Sequence, residues 1–230
     1  EEVKGMWKFT APYTKAWAEN AVPLHTYKPS TDEAAEQSRF IEHEAASQIK
    51  KELGIIGLGK MGAGMALRLK ERGWHVAAYN RTASVTEAYE KEGIAAAYSL
   101  QELVSKLAHP RIVWLMLPAG KPVDDMLFSS EEGSEGIAKL LQKGDIIVDG
   151  GNSYYKDSVK RHNKLAKKGI RFIDVGVSGG PGGARNGACL MVGGDKKNYE
   201  YLLPLLLDFA ATDAVQFFEG AGAGHFVKMV

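Results

Sequence analysis

Several residues in the second half of the chain have types and spacing suited to chemistry on a small, oxygen-rich substrate. Lys228 lies in the apolar run Phe226-Val-Lys-Met-Val230, directly after the glycine stretch Gly220-Ala-Gly-Ala-Gly224. A lysine is ordinarily a solvated surface residue. At the start of an apolar helix its charged form is disfavoured, which moves the amine toward the range of a general base. Upstream, Val177-Ser-Gly-Gly180 offers the Ser178 hydroxyl and the unobstructed backbone N–H groups of Gly179 and Gly180. Such a group can hold the carboxylate or hydroxyl of a small polyol acid. It belongs to a glycine-dense stretch, 174–194, between apolar runs. Glycine at that density is expected where backbone turns sharply or approaches a ligand, although a plain surface loop has the same composition.

A second set lies toward the N-terminal side. Gly57-Leu58-Gly59-Lys60-Met61-Gly62 follows the apolar run Leu53-Gly-Ile-Ile56 and opens a helical pattern carried by Met61, Met65, Leu67 and Leu69. In the Gly-x-Gly-x-x-Gly arrangement the first glycine makes the turn and the second lets backbone approach a pyrophosphate. The third allows close helix–strand packing, and the helix N-terminus favours the phosphate charge. With a strand before it and a helix after it, the pattern points to a dinucleotide site rather than a bare turn. The next strand ends at Asn80-Arg81-Thr82, where a site for NAD usually carries Asp or Glu for the ribose 2′-hydroxyl. A guanidinium and a hydroxyl suit a 2′-phosphate instead, so NADP is the expected cofactor. Alternatively, Asn80 or Thr82 caps a helix and Arg81 is solvated.

Two more strand ends complete the set. Met116-Leu117-Pro118-Ala119-Gly120 closes one strand, where an open sheet places ligand-contacting loops, although the same residues make ordinary turns. Asp149-Gly-Gly-Asn152-Ser153 closes another. The Asn152 amide both donates and accepts, which suits bridging a sugar hydroxyl and the cofactor; Asn152, or better Ser153, could instead cap the following helix.

These residues need an alternation of strands and helices to bring them together, and the apolar pattern provides one. Strands are predicted at 53–56, 75–79, 95–98, 112–117, 146–149, 172–177 and 189–192. Helices are predicted from the glycine motif, with Met61 on the pattern, to Gly73, then at 83–91, 100–107, 123–127, 137–141 and 153–168. Alternating strands and helices specify an α/β fold, a doubly wound and mostly parallel sheet of the Rossmann type. Residues 1–50 differ in composition, with Trp7, Trp17, Pro12, Pro23 and Pro29 followed by a charged, Ala-rich helical stretch. They are expected to form a helical or irregular extension and linker ahead of a nucleotide-binding domain over 51–222. Residues 223–230 then begin a further helical domain. Both ends read as cut, since residue 1 is Glu and the last residues lack any helix-stopping signal.

The 29 Lys and Arg against 28 Asp and Glu give no field that would favour nucleic acid or an anionic membrane. No run is long and apolar enough to span a bilayer, and the N-terminus lacks a signal-peptide pattern, so a cytoplasmic location is expected. Cys189, the single cysteine, sits in an apolar run and is expected to be a buried, unreactive thiol. The six histidines show no metal-ligand spacing, and no metal is expected.

Taken in order, Gly57–Gly62, Asn80-Arg-Thr82, Asp149-Gly-Gly-Asn-Ser153, Gly176-Val-Ser-Gly-Gly180 and Gly222-Ala-Gly-His-Phe-Val-Lys-Met-Val230 resemble the 6-phosphogluconate dehydrogenases of the β-hydroxyacid dehydrogenase superfamily. The resemblance covers about residues 52–230, and Pro118-Ala-Gly120 with Pro181-Gly-Gly183 is closer to the family's shorter-chain form. It implies oxidative decarboxylation of 6-phosphogluconate to ribulose 5-phosphate with NADP reduction. Lys228 would be the base for the C3 hydroxyl; Asn152, Ser178, Gly179 and Gly180 would bind substrate; Arg81 would meet the 2′-phosphate. The family continues beyond this point with His-Asn-Gly and then a Glu that protonates the enediol, within a large helical domain. The 230-residue chain is therefore expected to bind cofactor without turning over, and the full-length protein is expected to be a homo-oligomer. Residues 1–45 resemble the C-terminal tail of glucose-6-phosphate dehydrogenases in Trp7, Trp17, Pro23-Leu24 and Tyr27. That likeness implies a fusion of the two enzymes. Two other readings stand beside this one: another β-hydroxyacid dehydrogenase acting on a smaller acid, and a dinucleotide-binding module without catalysis.

Overall fold

Six apolar runs form parallel strands because a helical segment crosses back over the sheet between each and the next. A computed structural model describes residues 49–129 and 135–230. The expected N-terminal extension, with Trp7, Trp17, Pro23-Leu24 and Tyr27, lies outside the described residues. The parallel strands are β1 (Glu52–Ile56), β2 (His75–Tyr79), β3 (Ala95–Ala97), β4 (Ile112–Leu115), β5 (Ile146–Asp149) and β6 (Arg171–Ser178). Between them run α1 (Lys60–Glu71), α2 (Ala83–Glu90), α3 (Leu100–Ser105), α4 (Lys121–Phe128), a 3-10 turn at Ile137–Lys139, and α5 (Tyr155–Ala166). Then come α6 (Gly180–Asn186), β7 (Ala188–Gly194), α7 (Lys196–Phe209), β8 (Ala210–Glu219) and α8 (Ala223–Met229).

The sheet order is β3-β2-β1-β4-β5-β6-β7-β8. Strand β7 runs antiparallel to β6, and β8 runs parallel to β7. The chain winds one way from β1 to β3 and the other from β4 onward, so the carboxyl ends of β1 and β4 flank a topological switch point. Successive residues of the central strands enter opposite layers, as the two-residue repeat of a strand requires. Leu53, Ile55, Ile112, Trp114 and Val148 pack with Met65, Leu69, Leu202 and Phe209 on one face. Ile56, Val113, Leu115 and Ile147 pack with Leu103, Val123, Leu127 and Leu165 on the other. Burial on both faces is why these runs are apolar throughout rather than alternating. The doubly wound, mostly parallel sheet is the expected one. Among the described residues no helix is long and apolar enough to cross a membrane.

Differences from the sequence reading are local. Strand β4 ends at Leu115, and the segment expected as a helix over 137–141 makes only the 3-10 turn. Cys189 is exposed, not buried: β7 begins with alternating side chains, and Cys189 falls on the outer face while Ala188 and Leu190 point inward. Three elements carry no clear periodic signal. Helix α7 holds Pro204 in its interior, edge strand β8 buries only its first residue, and α6 is built from the glycine strip itself.

Candidate functional site

The turn after β1 is built on two close backbone approaches. Gly57 has φ +99°, and a Cβ there would stand 2.4 Å from Met116 O. A Cβ on Gly62 would stand 1.9 Å from Gly57 O, so α1 seats directly on the turn. Gly59 is the opposite case: it occupies the N-cap position of α1, and nothing lies within 4 Å of the place its Cβ would take. Backbone at Gly59 is thus open to close approach, beside the N–H groups that the first helical turn leaves without an internal acceptor, as an anion cradle requires. Leu58, Lys60 and Met61 complete the turn; Leu58 is buried and Lys60 exposed.

Asn80 ties β2 to this turn. Its Oδ1 accepts the Leu58 N–H at 3.0 Å, and its own N–H donates to Thr86 Oγ1 at 3.2 Å. Thr82 holds the N-cap position of α2 but makes no side-chain capping bond, which leaves its hydroxyl free to face a ligand. Arg81 is exposed and forms no ion pair among the described residues. A cleft of about 680 Å³ runs along the switch point. Of the predicted cofactor residues, it is lined by Gly57, Gly59, Asn80, Arg81, Thr82, Leu117 and Pro118. Leu58, Lys60, Met61, Gly62, Ala119 and Asn152 are not among its walls. Tyr79, Pro122 and Met126 line it as well and were not foreseen; the position of Pro122 and Met126 in the helix after Gly120 is the signal that could have found them.

The loop after β5 is fastened from below. Asp149 is fully buried; its Oδ1 accepts the Gly151 N–H at 3.1 Å and its Oδ2 accepts the Ser153 hydroxyl at 2.8 Å. Ser153 is thus not the helix cap it resembles; Tyr154 holds that position without a capping bond. Asn152, between these two anchored residues, is exposed at the carboxyl edge of the sheet. Its amide makes no hydrogen bond among the described residues.

Lys228 reaches the end of the neighbouring strand. It lies in the last turn of α8 rather than at the start of a helix, because α8 already begins after Gly222 in a left-handed conformation. The Nζ donates to Val177 O at 2.7 Å, one residue before Ser178. The side chain is partly buried, and desolvation lowers the amine's pKa from the ordinary lysine value. Ser178 ends β6, Gly179 takes the N-cap position of α6, and Gly180 is its first residue. Gly179 and Gly180 are both exposed beside the Lys228 strand end. The structure thus gathers Lys228, Ser178, Gly179 and Gly180 at β6 and the nucleotide residues at β1, β2 and β4. Asn152 stands in the loop after the intervening strand β5.

This arrangement defines a dinucleotide-binding α/β domain with a second polar cluster beyond the nucleotide cleft. Residues 52–220 match the family model described as the NAD binding domain of 6-phosphogluconate dehydrogenase. The chain belongs to that family. It is 44% identical over 189 residues to the decarboxylating 6-phosphogluconate dehydrogenase of Schizosaccharomyces pombe, covering 78% of this chain and 37% of that one. It is 40% identical over 186 residues to an NAD(+)-dependent, decarboxylating 6-phosphogluconate dehydrogenase of Bacillus subtilis, covering 77% and 38%. Among solved structures, Plasmodium falciparum 6-phosphogluconate dehydrogenase, described with NADP+ and with 6-phosphogluconate, superposes with a TM-score of 0.70 at 33% identity. That match covers 77% of this chain and 39% of the other. The chain therefore spans under two fifths of the length of these relatives.

Proposed function

We propose that the chain is the nucleotide-binding part of an NADP-dependent, decarboxylating 6-phosphogluconate dehydrogenase, and that Lys228 is its general base. The observation that carries this reading is the Lys228 amine: partly desolvated, hydrogen-bonded to Val177 O, and next to a serine and two exposed glycines. Desolvation favours the neutral amine, which is the form that accepts a proton. In this reading the Lys228 amine takes the proton of the substrate C3 hydroxyl. Ser178 and the Gly179 and Gly180 N–H groups hold the acid's oxygens, and the free Asn152 amide orients the sugar chain against the cofactor.

The open space over Gly59 and the cleft beside Arg81 and Thr82 fit a dinucleotide. The α1 N-terminus would hold the pyrophosphate, Arg81 and Thr82 the 2′-phosphate, and Leu117 and Pro118 the far wall. When bound, the nicotinamide supplies the two-electron acceptor. Residues 51–222 form the nucleotide domain in this account, and 223–230 open a helical substrate domain.

The test is turnover by the protein that carries this chain. Lys228→Met keeps the side-chain length and removes the titrating group. It should lower kcat by about two to four orders of magnitude, the usual contribution of a general base, with NADP affinity unchanged. Near-normal turnover would make Lys228 a structural lysine.

A further inference from the structure

Asp145, Asp149 and Asp174 are all fully buried. Asp145 is met by Arg111 and Asp149 by Arg161, but among the described residues Asp174 has neither arginine nor lysine beside it. Its charged and titratable neighbours are His225 and, farther off, Asp149. Burial raises its carboxyl above the ordinary aspartate range, against the opposing pull of His225 and two backbone N–H groups. An isolated buried carboxylate is costly, so what its oxygens touch is informative.

They touch the start of α8. Asp174 Oδ1 accepts the Gly222 N–H at 2.6 Å and Oδ2 accepts the His225 N–H at 2.8 Å. Both are donors that a helix start leaves without an internal acceptor. The His225 ring is buried with Nδ1 2.8 Å from Ser158 Oγ, which fixes the same turn to α5. Along β6, Asp174, Gly176 and Ser178 share one face. A Cβ on Gly176 would stand 2.7 Å from Lys228 Cβ, so the lysine stem lies directly on the β6 backbone. One strand face therefore grips the first turn of α8 at Asp174, passes the lysine stem at Gly176, and ends at Ser178.

We propose that Asp174 is a positioning residue for Lys228, clamping the first turn of α8 onto β6 so that the amine is delivered to Val177 O and kept from water. The consequence for turnover rests on Lys228 being the base; the placement itself is tested without turnover. Asparagine at 174 keeps the shape but sets an NH2 group against one of the two helix N–H donors. With the lysine side chains labelled with carbon-13, NMR titration of the chain should show Lys228 titrating higher in Asp174→Asn than in the wild type, nearer an ordinary lysine. A folded Asp174→Asn protein with unchanged Lys228 titration would overturn the proposal.

Should that variant not fold, Gly222→Ala carries the test. Its Cβ would stand 2.6 Å from Tyr155 O at a φ of +86°, displacing one clamp donor while Asp174 stays. The same upward movement is expected, and its absence overturns the proposal equally. In the unmodified protein the Gly222 and His225 amides should exchange with deuterium as slowly as the β6 ladder; fast exchange of either contradicts the clamp. If Asp174→Asn moves the Lys228 titration while Lys228→Met retains turnover, the positioning stands and the assignment of the base falls.

Discussion

Arg161 Nη1 stands 3.2 Å from Asp149 Oδ2, and both side chains are sealed from solvent. The same guanidinium bonds Ser153 Oγ at 3.0 Å, Gly120 O at 3.1 Å and Asp124 Oδ1 at 2.8 Å. One side chain of α5 thus joins the loop after β4, which borders the nucleotide cleft, to the loop after β5, which carries Asn152. Removing one partner of a buried pair leaves a charge without compensation and costs about 3–5 kcal/mol. Arg161→Met should lose stability of that order in urea unfolding at neutral pH. A loss below about 1 kcal/mol would mean that the network is solvated and holds neither loop.

The glycines of the turn after β1 separate folding from binding. Gly62→Ala puts a methyl group into Gly57 O, and overpacking of this kind costs about 1–3 kcal/mol. Gly59→Ala meets nothing in the protein, so the fold should melt as the wild type does while NADP affinity falls by about tenfold or more. Calorimetric titration beside thermal melts reads both. Wild-type affinity in Gly59→Ala would show that the pyrophosphate does not pass over this turn.

Much of this was legible in the sequence because the governing physics is local. Strands β2 and β5 fall on the predicted residues, and the glycine turn fixes where α1 begins. Arg81 and Thr82 reach the cleft simply by following the carboxyl end of β2. What sequence could not supply was partner choice across the sheet. Asn80 is bound to Leu58 N–H, and Ser153 turns to Asp149 instead of capping α5. Neither Asp174, in an apolar strand, nor Arg161, in a polar helix, stands out in the sequence, since each reveals its function only when the element it grips is known. Cys189 was misplaced for a related reason: an apolar run shows burial of the strand but not which face each side chain takes near the sheet edge.

At the opposite end of the sheet, Asp145 supplies a pH-dependent test of the scaffold. It is desolvated, which alone would raise its pKa, but N–H groups of Gln142 and Arg111, the Arg111 guanidinium and His109 hold it below the ordinary aspartate value. A depressed carboxyl contributes stability that is present above the ordinary aspartate range and is lost as pH falls through the folded value. Asp145→Asn should therefore be clearly less stable than wild type at pH 7, and the gap should close in acid. A gap that is constant from neutral pH down to pH 3 would show that packing, not ionisation, accounts for it.

The choice between NADP and NAD turns on Arg81, because relatives of this chain include an NAD(+)-dependent enzyme. Arg81 is exposed in the cleft wall, and no carboxylate stands at the end of β2. A charge-assisted pair with a 2′-phosphate contributes about 1.5–3 kcal/mol, or roughly ten- to hundredfold in affinity. Calorimetric titration of the chain with NADP and with NAD measures this directly. NADP should bind about ten- to hundredfold tighter, and Arg81→Ala should erase the difference while leaving NAD affinity in place. Equal affinities in the wild type, or tighter NAD, would contradict the account.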